Sequence, residues 1–129
     1  MMLFRTYSGF VGRSYSADRG ETWSAGELVQ ELPMPTCTPL TVDRIPSTGD
    51  LLLTMPTGPA GRTPLLSMIS QDEGETWTHR RVILDDPNER YGYQVVKFLD
   101  DEVLVVTPSS QGVLVVRMGV DWFYQEEQD

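Results

Sequence analysis

Ser16-Ala17-Asp18-Arg19-Gly20-Glu21-Thr22-Trp23 returns as Ser70-Gln71-Asp72-Glu73-Gly74-Glu75-Thr76-Trp77, with six of eight positions identical and 54 residues between Asp18 and Asp72. A period of that size is close to the roughly 40–50 residues of one four-stranded propeller blade. Each residue type suits a tight connection between strands. Asp and Ser side chains bond nearby backbone N–H groups, Gly takes a positive φ that other residues avoid, and Thr-Trp restarts a strand whose indole is expected to point inward. Ser16, Asp18, Gly20, Thr22 and Trp23, and in the second copy Ser70, Asp72, Gly74, Thr76 and Trp77, therefore read as a structural staple rather than as catalysts.

Outward from the octets the periodicity is that of short strands. Residues 38–45, 51–55, 65–70 and 78–84 form one set of four, with turns at Pro46-Ser-Thr-Gly49-Asp50, at residues 57–61 and at the second octet. A second set follows at 93–99, 102–107, 112–118 and 122–125, and no octet recurs near residue 126. Run backwards, the same register puts the first strand of the first blade before Met1, so the chain starts inside a blade. The expected organisation is an all-β partial propeller of about two and a half four-stranded antiparallel blades. A truncated blade covers residues 1–34, a complete one 35–86, and a last one without an octet 87–129. An arc of this kind leaves strand edges open at both ends. It is either the C-terminal part of a longer ring, completed by the missing blades, or a chain that completes its ring by self-association.

Composition narrows the function. A chain of 129 residues is one domain's worth, able to bury about two-thirds of its unfolded surface. Apolar residues at 40% and charged residues at 22% are those of a globular protein. Ten basic against 19 acidic residues give a net charge of −9, which argues against a nucleic-acid partner. An anionic small ligand stays compatible with that charge, because salt screens distant charges beyond about 8–10 Å and a local cluster of arginines decides. One cysteine, Cys37, and one histidine, His79, argue against a disulfide framework, a metal site or a cofactor built on those residues, and His79 reads as a surface residue of a strand. No stretch reads as a signal peptide or a membrane span, and the compartment is not specified.

The octets match the Asp-box, Ser-x-Asp-x-Gly-x-Thr-Trp. At this spacing the chain resembles the sialidase (neuraminidase) superfamily of Asp-box, or BNR-repeat, propellers. The resemblance covers nearly the whole chain but under half of a full six-bladed member. It implies the C-terminal part of a glycoside hydrolase acting on terminal sialic acid or a related acidic sugar, inactive as an isolated arc. The alternative is a non-catalytic Asp-box propeller that binds a glycan or a protein.

In a four-stranded meander, the connections after strands two and four share one rim and the Asp-boxes lie on the other. The first rim holds Arg5 and Thr6, residues 57–62, the 85–93 connection and residues 109–111. Guanidinium groups bind planar carboxylates as a bidentate fork, so Arg5 and Arg62 are the candidates for holding an acidic sugar. The resemblance places them at the second and third arginines of the sialidase triad. It likewise places the tyrosine nucleophile at Tyr93 of Tyr91-Gly92-Tyr93-Gln94, with Tyr91 as second choice. A phenol is suited to that role: it escapes the like-charge repulsion that a carboxylate meets at a carbon already bearing one, until a base takes its proton. The first arginine, the Asp acid and the Glu base of such a site belong to blades outside this chain. Asp43-Arg44-Ile45-Pro46 ends an inner strand at the Asp-box rim and is set aside as catalytic, and Asp85, Asp86 and Glu89 read as a solvated acidic turn.

Overall fold

The computed structural model describes residues 1–59 and 61–126. Among these residues, ten strands form three antiparallel sheets, in chain order. The first contains β1 (Met2–Phe4), β2 (Phe10–Ser14) and β3 (Glu27–Pro33), and the second β4 (Thr41–Arg44), β5 (Leu51–Pro56), β6 (Leu65–Ser70) and β7 (Thr78–Leu84). The third contains β8 (Val95–Leu99), β9 (Glu102–Ser109) and β10 (Gly112–Gly119). Within each sheet every strand pairs with its neighbour in sequence, which is the meander that a propeller blade requires.

The second sheet lies between the other two, and its sequence shows why. β5 reads Leu-Leu-Leu-Thr-Met-Pro and β6 Leu-Leu-Ser-Met-Ile-Ser, and all twelve residues are buried. Strands covered on both faces need continuous apolar runs rather than alternation. Leu51, Leu53, Met55, Leu66 and Met68 pack with Val11, Val29, Leu32, Met34 and Trp77. Leu52, Leu65 and Ile69, on the opposite face, join Ile45, Tyr91, Val96, Val103, Val105, Val120 and Phe123. Each such aliphatic side chain contributes about 1.5–3 kcal/mol by leaving water. The half-covered third sheet alternates instead: in β9, Val103, Val105 and Thr107 are buried and their neighbours are not.

The Asp-boxes form the expected staples. Asp72 accepts hydrogen bonds from Thr76 N (2.8 Å) and Thr76 Oγ1 (2.6 Å), and Ser70 Oγ accepts one from Gly74 N (2.8 Å). Asp18, Thr22, Ser16 and Gly20 repeat this pattern. Gly20 and Gly74 have φ of 92° and 87°. The second box also closes the seam between sheets, because Arg13 of β2 donates to the carbonyls of Gly74 (2.5 Å) and Glu75 (2.9 Å).

Two expectations need correction. Trp77 is 3% exposed between the first two sheets, but Trp23 is 43% exposed. Trp77 packs in the cluster that joins the first two sheets, whereas Trp23 belongs to no core cluster and its indole N–H donates to the carbonyl of Gly20 (3.0 Å). The expected strand at 122–125 is a 3₁₀ helix, Val120–Tyr124. Its two buried residues, Val120 and Phe123, stand three apart, a spacing that suits three residues per turn and not strand alternation. Tyr124 Oη then donates to Asp50 (2.7 Å), fixing the helix at the Asp-box rim.

Candidate functional site

On the opposite rim, three connections meet. Thr63 Oγ1 donates to the carbonyl of Glu89 (2.5 Å), Tyr91 N donates to the carbonyl of Arg62 (3.0 Å), and Ser110 binds the Glu89 carboxylate through its N (2.8 Å) and Oγ (2.5 Å). The 57–64 loop, the 85–94 connection and the 109–112 turn are thereby held to one another by short polar bonds. Glu89 is therefore a half-buried clamp between two loops and not a solvated acid. Asp85 and Asp86 are exposed, and Asp86 Oδ1 accepts from Asn88 N (2.9 Å) in a local turn.

Arg5, Arg62 and Tyr93 come together at this rim. The Arg62 guanidinium lies 4.9 Å from the centre of the Tyr93 ring. Hydrogen bonds to the phenol from Arg62 and then Arg5, reinforced by their charges, hold the Tyr93 hydroxyl below the usual tyrosine range. Tyr93 is 61% exposed, so the group remains open to a ligand. Tyr91 is a different residue: at 1% exposure it is part of the core, its hydroxyl accepts from Asp86 N, and burial raises its pKa. It is thus excluded as the alternative nucleophile.

The backbone explains how the three groups meet. Gly92 has φ of 140°, and a Cβ there would stand 3.0 Å from Pro39 and 3.3 Å from Arg62 Cδ, so only glycine lets the Arg62 stem lie against the chain beside Tyr93. Tyr93 itself sits at φ 50°. The next residue, Gln94, is buried and donates from Nε2 to the carbonyl (2.7 Å) and Oγ1 (3.0 Å) of Thr54 on β5. Thr107 Oγ1 of β9 donates to the carbonyl of Gly92 (3.3 Å) from the other side. The Tyr93 backbone is clamped by both neighbouring strands. Sequence reading passed over Gly92, Gln94, Thr54 and Thr107. The glycine between two tyrosines at a strand mouth was the available signal, since glycine there marks close backbone approach.

At the Asp-box rim, Arg44 forms a two-pronged pair with Glu73 (2.7 Å each), so the Asp43–Pro46 segment lies away from Tyr93. His79 is half-buried, edge-on to Tyr124 at 5.7 Å, and Cys37 is a free thiol. Among the described residues no cluster of His, Cys, Asp and Glu is arranged to hold a metal ion. No helix of the described residues is long and apolar enough to cross a membrane.

Three successive meander sheets packed face to face, stapled by Asp-boxes on one rim and bearing an Arg-Arg-Tyr cluster on the other, define a partial β-propeller of the sialidase type. The chain belongs to the BNR repeat-like domain family, whose model matches residues 1–105. No curated protein matches it. Among solved structures it is similar to the intramolecular trans-sialidase of Ruminococcus gnavus, in complex with oseltamivir carboxylate, with TM-score 0.75 and 21% identity over 97% of this chain and 31% of that one. It is also similar to NanB sialidase of Streptococcus pneumoniae (TM-score 0.72, 19% identity, 92% and 21% coverage). The leech intramolecular trans-sialidase, complexed with 2,7-anhydro-Neu5Ac, gives TM-score 0.72 and 21% identity over 92% of this chain and 21% of its own. The chain thus spans under a third of the structures it resembles.

Proposed function

We propose that this chain supplies the arginine–tyrosine part of a sialidase-type site to a longer propeller acting on terminal sialic acid or a related acidic sugar. The observation that carries the reading is the Arg62 guanidinium over the ring of the exposed Tyr93, with Arg5 near enough to help lower the phenol's pKa. Two guanidinium groups at one phenol provide a fork for a carboxylate and keep the phenolate within reach. In such a site Tyr93 Oη bonds to the anomeric carbon as the glycosidic C–O bond breaks. The phenol proton passes to a carboxylate base, and the leaving oxygen takes one from an acid. Both carboxylates belong to further blades of the ring, and the partial coverage of the sialidase structures supports that arrangement.

A binding reading, without turnover, is favoured for the chain on its own: among the described residues no carboxylate is bonded to Tyr93. Removing members of a group that acts together costs most of the rate. The expected outcome is that the 129-residue chain binds N-acetylneuraminic acid but releases no product from a fluorogenic sialoside. Arg62→Ala should weaken that binding by about tenfold, as loss of a charge-assisted fork would. Titration by NMR chemical shifts checks both points, and binding indifferent to Arg62 would overturn the reading.

A further inference from the structure

The basic residues of this acidic chain are unevenly matched. Arg13 pairs with Glu27 (2.8 Å), Arg44 with Glu73 (2.7 Å) and Arg117 with Glu102 (2.6 Å), while Arg81 lies over the Trp122 ring at 4.2 Å. The cations of the ligand rim, like Arg19 and Lys97 elsewhere, have no such partner: among the described residues, Arg5, Arg62 and Arg90 take part in no ion pair with a carboxylate. The nearest acidic groups in sequence to Arg90 are already engaged: both oxygens of Glu89 accept from Ser110, and Asp86 Oδ1 accepts from Asn88.

Arg90 and Arg62 line the same cleft. It has a volume of about 450 Å³ and lies between Arg62 and Thr63 on one side and residues 87–90 on the other, with Asn88 and Glu89 among its walls. A second cleft of about 290 Å³ continues past Arg90 to Ser109 and Ser110. The first volume is within the roughly 300–1,000 Å³ of small-ligand sites. The walls are fixed by the Thr63–Glu89, Arg62–Tyr91 and Ser110–Glu89 bonds, so the cleft is preformed.

We propose that this cleft is a second anion subsite, in which Arg90 binds a carboxylate on the sugar adjoining the one held by Arg5 and Arg62. The chemical class of ligand is an oligosaccharide with two neighbouring acidic sugars. This rests on the reading of Arg5, Arg62 and Tyr93 as an acidic-sugar site. An unpaired guanidinium is the group that gains most from such a carboxylate, since no internal partner has to be given up. Ser110 holds the Glu89 carboxylate in place through both of its oxygens, so its position in the wall is fixed although its charge remains.

The test is titration of the full 129-residue chain with sialyllactose, whose adjoining sugars are neutral, and with disialic acid, whose adjoining sugar carries a second carboxylate. Disialic acid should bind about fivefold tighter, the size of one exposed charge pair, and the preference should fade as salt is raised. Arg90→Ala should abolish the preference and leave sialyllactose affinity unchanged. Arg90→Lys should restore part of it. A preference missing from the wild-type chain, or persisting in Arg90→Ala, overturns the subsite; if Arg62→Ala still weakens both ligands, the reading of the primary site stands. Failure of the wild-type chain to bind either sugar overturns both.

Discussion

Tyr93 shows what a single residue gains from its neighbours. Arg62 and Arg5 favour the phenolate by hydrogen bonding and charge, so its ionisation is displaced below the ordinary value near 10. Ultraviolet difference titration should find one phenol ionising early, absent in Tyr93→Phe and shifted upward in Arg62→Ala. An unshifted set of tyrosines would contradict the geometry. Asp72 offers a second test through stability. Hydrogen bonds from Thr76 hold its carboxyl at about 2, against an ordinary 3.8, so its folded pKa is depressed. The stability it contributes is full above the unfolded value and lost as pH falls through the folded one. Asp72→Asn should therefore melt below wild type near neutrality, with the gap closing between about pH 4 and pH 2. A gap that stayed constant through that range would show that the charge is not what Thr76 stabilises.

At the scale of the element, the loop carrying Arg62 is set by the backbone at its entry. A Cβ on Gly58 would fall 1.8 Å from the carbonyl oxygen of Thr63, an atom that cannot move without the loop, whereas a Cβ on Gly61 meets nothing within 4 Å. Gly58→Ala should cost about 1–3 kcal/mol in chemical denaturation, as overpacking does, and raise the Tyr93 phenol pKa by moving Arg62. Gly61→Ala, three residues on, should change neither. Equal behaviour of the two variants would show that the loop adjusts freely. The 3₁₀ helix at Val120–Tyr124 is the opposite case, an element that sequence reading missed. Trp122-Phe-Tyr-Gln has the aromatic composition of a strand, and only the burial of Val120 and Phe123 against the second and third sheets selects the tighter turn.

Over the whole molecule, the two outer sheets each keep one apolar face uncovered. In the third sheet Val95, Leu99, Val113 and Val115 are 50%, 53%, 72% and 55% exposed. In the first, Met2 and Leu28 are each 42% exposed and Trp23 43%. Patches of this kind, next to unpaired strand edges, drive association. Light scattering should show mass rising with concentration for the isolated chain. The double substitution Val113→Lys and Val115→Lys should lower it, by placing charge on the open face. A strict monomer at every concentration would mean that the faces are better solvated than their composition implies.

The sequence by itself determined the blade repeat, because the Asp-box is a local device: Ser, Asp, Gly and Thr satisfy one another within eight residues, and their spacing reports the period. It also marked the middle set of four strands, while the burial of β5 and β6 on both faces became visible only in the structure. Arg5, Arg62 and Tyr93 were legible as candidates, but their meeting was not. Tyr93 lies 88 residues from Arg5 and 31 from Arg62, and what joins them is a glycine with room for an arginine stem and a buried Gln94 anchored to Thr54. The different fates of Trp23 and Trp77, identical in motif, were likewise decided by tertiary structure alone. A side chain is buried by the surface that packs on it, and that surface is made by residues distant in the chain.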